Sequence, residues 1–111
     1  MKTYISSMII TLLLLVISGC GDSIKSIADA EKKGFTKDQQ LFFAMIGAVD
    51  GYSGTWKDEN VALYAYESAE KINKAFFDAS LSDDKKICIK QNLVMIAPES
   101  DNKACAALEN L

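Results

Sequence analysis

The chain has no histidine and no arginine, and only one proline (Pro98) and one tryptophan (Trp56) among its 111 residues. Without histidine it lacks the commonest general base near neutral pH and the commonest metal ligand. Without arginine, and with a formal net charge of −3, it lacks the cationic surface that nucleic-acid backbones require. No segment has EF-hand spacing, and Ser53 in Tyr-Ser-Gly does not stand in a Gly-x-Ser-x-Gly nucleophile elbow. The acidic pairs Asp58-Glu59 and Asp83-Asp84 fall in polar turns, where solvation accounts for them. The expectation is therefore a non-enzyme with no catalytic residue, no cofactor, no metal site and no nucleic-acid partner.

What is present begins with Lys2 and an apolar run from Ile5 to Ile17, followed by Ser18, Gly19 and Cys20. As a helix this run reaches roughly 20 Å, short of the ~30 Å hydrocarbon core, so a permanent transmembrane helix is not expected. Basic residue, apolar stretch, small residues and cysteine, in that order, resemble the lipobox of bacterial lipoproteins, here Ile17-Ser18-Gly19-Cys20. The resemblance implies that residues 1–19 are a cleaved signal peptide. It also implies that Cys20 is acylated and becomes the mature N-terminus. Several acyl chains, at about 0.8 kcal/mol per buried CH₂, make such an anchor effectively permanent. Gly21 follows the cysteine where Asp would favour inner-membrane retention. The implied location is the periplasmic face of the outer membrane, with the inner membrane or a Gram-positive cell surface as alternatives.

Two cysteines remain, Cys88 and Cys105. In an exported chain such a pair most often forms a disulfide, which adds about 3 kcal/mol to a domain with a small core. Two lone cysteines make a poor zinc site, and no histidine exists to activate a thiol.

Residues 20–35 read as a lipidated N-terminus with a tether or short helix over Ser23 to Lys33, and residues 36–111 as one small domain. Thr36 to Val49 reads as a buried helix. Thr36 and Gln39 form a capping box, and Leu41-Phe42-Phe43-Ala44-Met45-Ile46 is apolar all round. Gly51 to Lys57 reads as a turn leading into a strand. Val61 to Tyr66 alternates like a strand, and a helix capped by Ser68 runs to about Ser80, burying Ala69, Ile72, Phe76 and Ala79. Ile87 to Ile89 and Leu93 to Ile96 read as two more strands, closed by Pro98, before a last helix capped by Ser100.

An offset of 32 residues matches Asn60 with Asn92, Ala65 with Ala97, Glu67 with Glu99 and Ser68 with Ser100, and aligns Val61 with Leu93, Leu63 with Met95 and Phe76 with Leu108. The expected fold is therefore α+β. N-terminal helices precede a duplicated strand-strand-helix unit, over about 52–80 and 85–111. The two hairpins form a four-stranded antiparallel sheet with helices packed on one face, and the disulfide pins the last helix to it.

For function, the best surface candidate is the aromatic set Tyr52, Trp56, Tyr64 and Tyr66, on and around the glycine-containing stretch 50–60. Core burial of Trp56 is the competing reading. Gly34-Phe35-Thr36-Lys37 followed by Gly47 is similar to the helix start of small lipoproteins that assist outer-membrane protein assembly, although Val49 stands where that family has proline. The resulting expectation is a membrane-anchored, non-catalytic module that binds a protein partner. Its role is inhibitory or defensive: exclusion, immunity or hydrolase inhibition. The alternative is an outer-membrane assembly or structural accessory.

Overall fold

A computed structural model describes residues 24–100 and 102–111. The expected signal peptide, the expected lipobox and Cys20 lie outside the described residues. The fold is α+β, built on a five-stranded sheet of order β1-β2-β3-β5-β4, in which every neighbouring pair is antiparallel. The strands are β1 (Thr36–Gln40), β2 (Asp50–Trp56), β3 (Glu59–Ala65), β4 (Lys85–Lys90) and β5 (Leu93–Pro98). The helices are α1 (Ile27–Glu31), α2 (Lys74–Ser80) and α3 (Lys103–Glu109), and 3-10 turns stand at Ala44–Ile46 and Ala69–Lys71.

The β2–β3 and β4–β5 hairpins lie side by side through the pairing of β3 with β5. Lys57 and Asp58 turn the first with φ of 53° and 67°, the two positive values of a type I′ turn that matches strand twist. Leu63 pairs directly with Met95 between β3 and β5, the one pair at which the antiparallel register and the 32-residue offset coincide.

Three expectations fail. The sheet has five strands, because Thr36 to Gln40 pair with β2 along its outer edge instead of opening a helix. The capping-box residues are present, but Phe35 is buried edge-on against Trp56, with ring centroids 5.9 Å apart, and this draws the following residues onto the sheet. Tertiary packing overrides local propensity here. It also removes the similarity to the assembly-lipoprotein helix, since that stretch is strand. Of the two N-terminal helices, a five-residue α1 stands where the first was expected. Ser26 and Asp29 close its capping box, and it buries Ile27 and Ala30 on the domain.

Third, the helices do not share a face. One face carries Trp56, Val61, Leu63, Leu93, Met95 and Ala97, covered by α1 and α3. Cys88 and Cys105 form the expected disulfide, with Cα atoms 5.8 Å apart, and tie α3 to β4. The other face carries Tyr66 and Val94, covered by Phe77 of α2 and by Ala48. The helix expected from residue 67 is broken into a 3-10 turn and α2, because Ile72 is extended and Asn73 caps anew. Phe77 is the one buried residue of α2, whereas Phe76 is 46 % exposed and does not match the fully buried Leu108.

Candidate functional site

The four aromatic candidates do not form a common surface. Trp56 and Tyr66 are each only 1 % exposed, and Tyr52 and Tyr64 are half-buried. Trp56 Nε1 donates to the Lys33 carbonyl at 3.2 Å, so its polar edge is satisfied inside the closed face. Tyr52 shares that face, where the Lys37 ammonium sits 4.5 Å from its ring centroid. Tyr64 and Tyr66 occupy the opposite face, with their rings against Phe77. Burial pushes both phenols above their ordinary pKa, and the neighbouring Tyr64 charge raises Tyr66 further. The expected aromatic patch is therefore mostly core.

The glycines of the stretch 50–60 lie inside β2 rather than in a turn. A Cβ on Gly51 would stand 2.7 Å from the Tyr64 ring, which crosses it from β3. A Cβ on Gly54 would stand 2.1 Å from the Thr36 carbonyl of β1. Gly54 thus admits the close approach of the edge strand, and Gly51 gives Tyr64 its bed.

The open surface is the other half of the second face. There β2 and β3 present the small or polar side chains Ser53, Thr55, Asn60 and Ala62, and β5 adds the apolar Ile96. With Thr36 to Asp38 of β1 as a wall and Lys85 at the rim, they line a hollow of about 580 Å³. α2 and the segment around Ala48 pack against Tyr64, Tyr66 and Val94 at the opposite end of the strands, which leaves the hollow uncovered. Its lining combines the hydroxyl, amide and charged groups of Thr36, Lys37, Asp38, Ser53, Thr55, Asn60 and Lys85 with the apolar Val61, Ala62 and Ile96. Among the described residues, no group of three or more Cys, Asp or Glu side chains could hold a metal ion.

Two buried polar residues carry structural roles that their sequence context concealed. Glu59 is 6 % exposed, and its Oε1 accepts the Ala104 N–H at 2.9 Å, so it serves the first turn of α3 in place of the expected Ser100 cap. Glu59 Oε2 is buried with no hydrogen-bond partner among the described residues. Asn92 is 2 % exposed and acts as a backbone surrogate. Its Oδ1 accepts the Lys25 N–H at 2.8 Å, and its Nδ2 donates to the carbonyls of Lys25 at 2.7 Å and Tyr66 at 2.9 Å. An apolar-versus-polar pattern assigns both residues to solvated turns. Only the tertiary fold brings a helix start to Glu59 and the N-terminal segment to Asn92.

No protein-family model matches the chain, and neither does a curated protein or a solved structure.

Proposed function

We propose that the chain is a lipid-anchored envelope protein, held through Cys20 at the periplasmic face of the outer membrane, that binds a protein partner without chemistry. Within that class we favour an inhibitory or defensive module, acting in exclusion, immunity or hydrolase inhibition. The observation that carries this reading is the uncovered hollow on a sheet whose other face is wholly committed to the core. A partner meets the face and not the β1 edge. All five residues of that strand are exposed, but Lys37, Asp38 and the irregularity between Lys37 and Gln39 blunt it against strand addition.

The test is capture of the full-length acylated protein from its host's membranes, with Thr55→Arg/Asn60→Arg beside the wild type. Both positions are exposed and paired in register on the hollow's floor. The double variant is expected to shift Tm by no more than about 3 °C and to lose the captured partner. Equal retention by both proteins would sink the hollow as the binding surface. A resident envelope protein held in stoichiometric amount would make the chain an assembly or structural accessory instead.

A further inference from the structure

The two most exposed large apolar side chains among the described residues, Phe42 at 89 % and Met45 at 87 %, lie in the loop between β1 and β2. Val49 of the same loop is 55 % exposed, and Ile24, where the chain enters the fold, is 59 % exposed. No charged residue occurs from Leu41 to Val49. A loop free to collapse would hide such side chains, but this one is fixed at several points. Leu41 N–H donates to the Gly51 carbonyl at 3.0 Å, and Val49 N–H to the Ala65 carbonyl at 2.8 Å. The Tyr66 hydroxyl donates to the Ile46 carbonyl at 3.1 Å, and Ala48 is buried. The backbone is therefore held on β2 and β3, and Phe42 and Met45 are presented to solvent. They border a hollow of about 270 Å³ together with Leu41 and Phe43.

The loop shares one end of the sheet with the point where the chain enters the fold. β1 ends there, β2 begins, β3 ends and β5 begins, as the pairs Gln40 with Tyr52, Asp50 with Ala65 and Ala65 with Leu93 require. Lys25 is clamped to the same end by Asn92, whose amide also holds the Tyr66 carbonyl, and Tyr66 in turn holds Ile46. Cys20 precedes the clamped Lys25 by five positions, a reach of about 17 Å at full extension. A lipid anchor at Cys20 would thus keep the clamped Lys25 within about 17 Å of the bilayer. A second protein domain, some 30 Å across, does not fit in that gap, whereas a headgroup layer does.

We infer that the loop from Leu41 to Val49 is a second membrane contact, which inserts Phe42 and Met45 into the lipid interface beside the Cys20 anchor. This rests on the lipid-anchor reading given above. The tether makes the contact intramolecular, so a shallow insertion of two apolar side chains suffices. It also sets the orientation. The strands stand away from the membrane, and the hollow at their other end faces outward.

The test uses full-length protein purified from its host and reconstituted in vesicles of phosphatidylethanolamine and phosphatidylglycerol. Phe42→Cys carries an environment-sensitive NBD fluorophore, and Asn60→Cys carries the same probe at the far end. Mass spectrometry of each preparation reads the acylation of Cys20. The expected result is an acylated chain whose probe at position 42 shifts to the blue and loses quenching by aqueous iodide, while the probe at position 60 stays quenchable. An acylated chain with a quenchable probe at position 42 overturns the loop contact and leaves the anchor standing. A shielded probe on a chain without acyl groups upholds the loop contact and fails the anchor. A quenchable probe on a chain without acyl groups overturns both. Shielding in the host's native membranes that is absent in pure lipid vesicles overturns the lipid contact in favour of a docked protein.

Discussion

The two faces of the sheet are made from alternate residues of the same strands, yet they are finished differently. On the closed face, Leu63, Leu93, Met95 and Ala97 have no exposure, and α3 is fastened over them by a disulfide and by the Glu59 carboxylate. On the open face, α2 inserts only Phe77, and the far half of the strands offers Ser53, Thr55, Asn60 and Ala62 to solvent. On the proposed reading, stability and recognition fall on opposite sides of one layer. A substitution on one side should move melting, and a substitution on the other should move binding.

The largest effect should come from comparing Trp56→Ala with Ile87→Ala. Trp56 is buried on the closed face and Ile87 is half-buried on the open one. Urea titration followed by circular dichroism is expected to show a loss of about 3–5 kcal/mol for Trp56→Ala and about 1 kcal/mol for Ile87→Ala. Equal losses would mean that the open face is as much a core as the closed one.

Removal of the staple comes next. Cys88→Ala with Cys105→Ala opens a cross-link of sequence separation 17, and about 3 kcal/mol should be lost. Trp56, the single tryptophan, reports the closed face directly by fluorescence during the same titration. A variant with an unchanged urea midpoint would show that α3 is held by packing alone.

The smallest effect concerns α1, the lip of the closed face. The Ser26 backbone N–H, donating to Asp29, holds that carboxyl below its ordinary pKa, with the Ser26 hydroxyl and two lysines assisting against slight burial. The contribution of the cap is therefore complete above the unfolded-state pKa of about 3.9 and is lost as pH falls through the lower folded value. Amide protection at Ser26 and Asp29, measured against the intrinsic exchange rate at each pH, should fall on acidification to that range, with Trp56 fluorescence unchanged. Protection that does not change with pH would place the hold on α1 in Ile27 and Ala30 alone.

The central strands were legible in the sequence because their alternation reflects burial. Val61, Leu63 and Ala65 point inward along β3, and Leu93, Met95 and Ala97 do so along β5. The cysteine pair was legible for the same reason of place, one on a strand and one on the facing helix. β1 was not, since every residue of Thr36–Gln40 is exposed and its role is carried by backbone pairing. The run Leu41 to Ile46 misled because an apolar segment ordinarily signals core, and here Phe42 and Met45 stand outside it. The hollow was illegible because it is defined by what fails to cover Ser53, Thr55 and Asn60, a property of the helices and not of those residues.

Force drawn along the N-terminal segment enters the fold at Lys25. It meets there the side-chain amide of Asn92, which joins that residue to the start of β5 and the end of β3. Those are the central pair of strands, flanked on both sides by paired neighbours. A pull on the tether therefore loads the middle of the sheet, where strands are held from both edges, and does not peel β1 or β4 from the outside. If the chain is anchored and binds a partner as proposed, strain between the two would pass through the central strands.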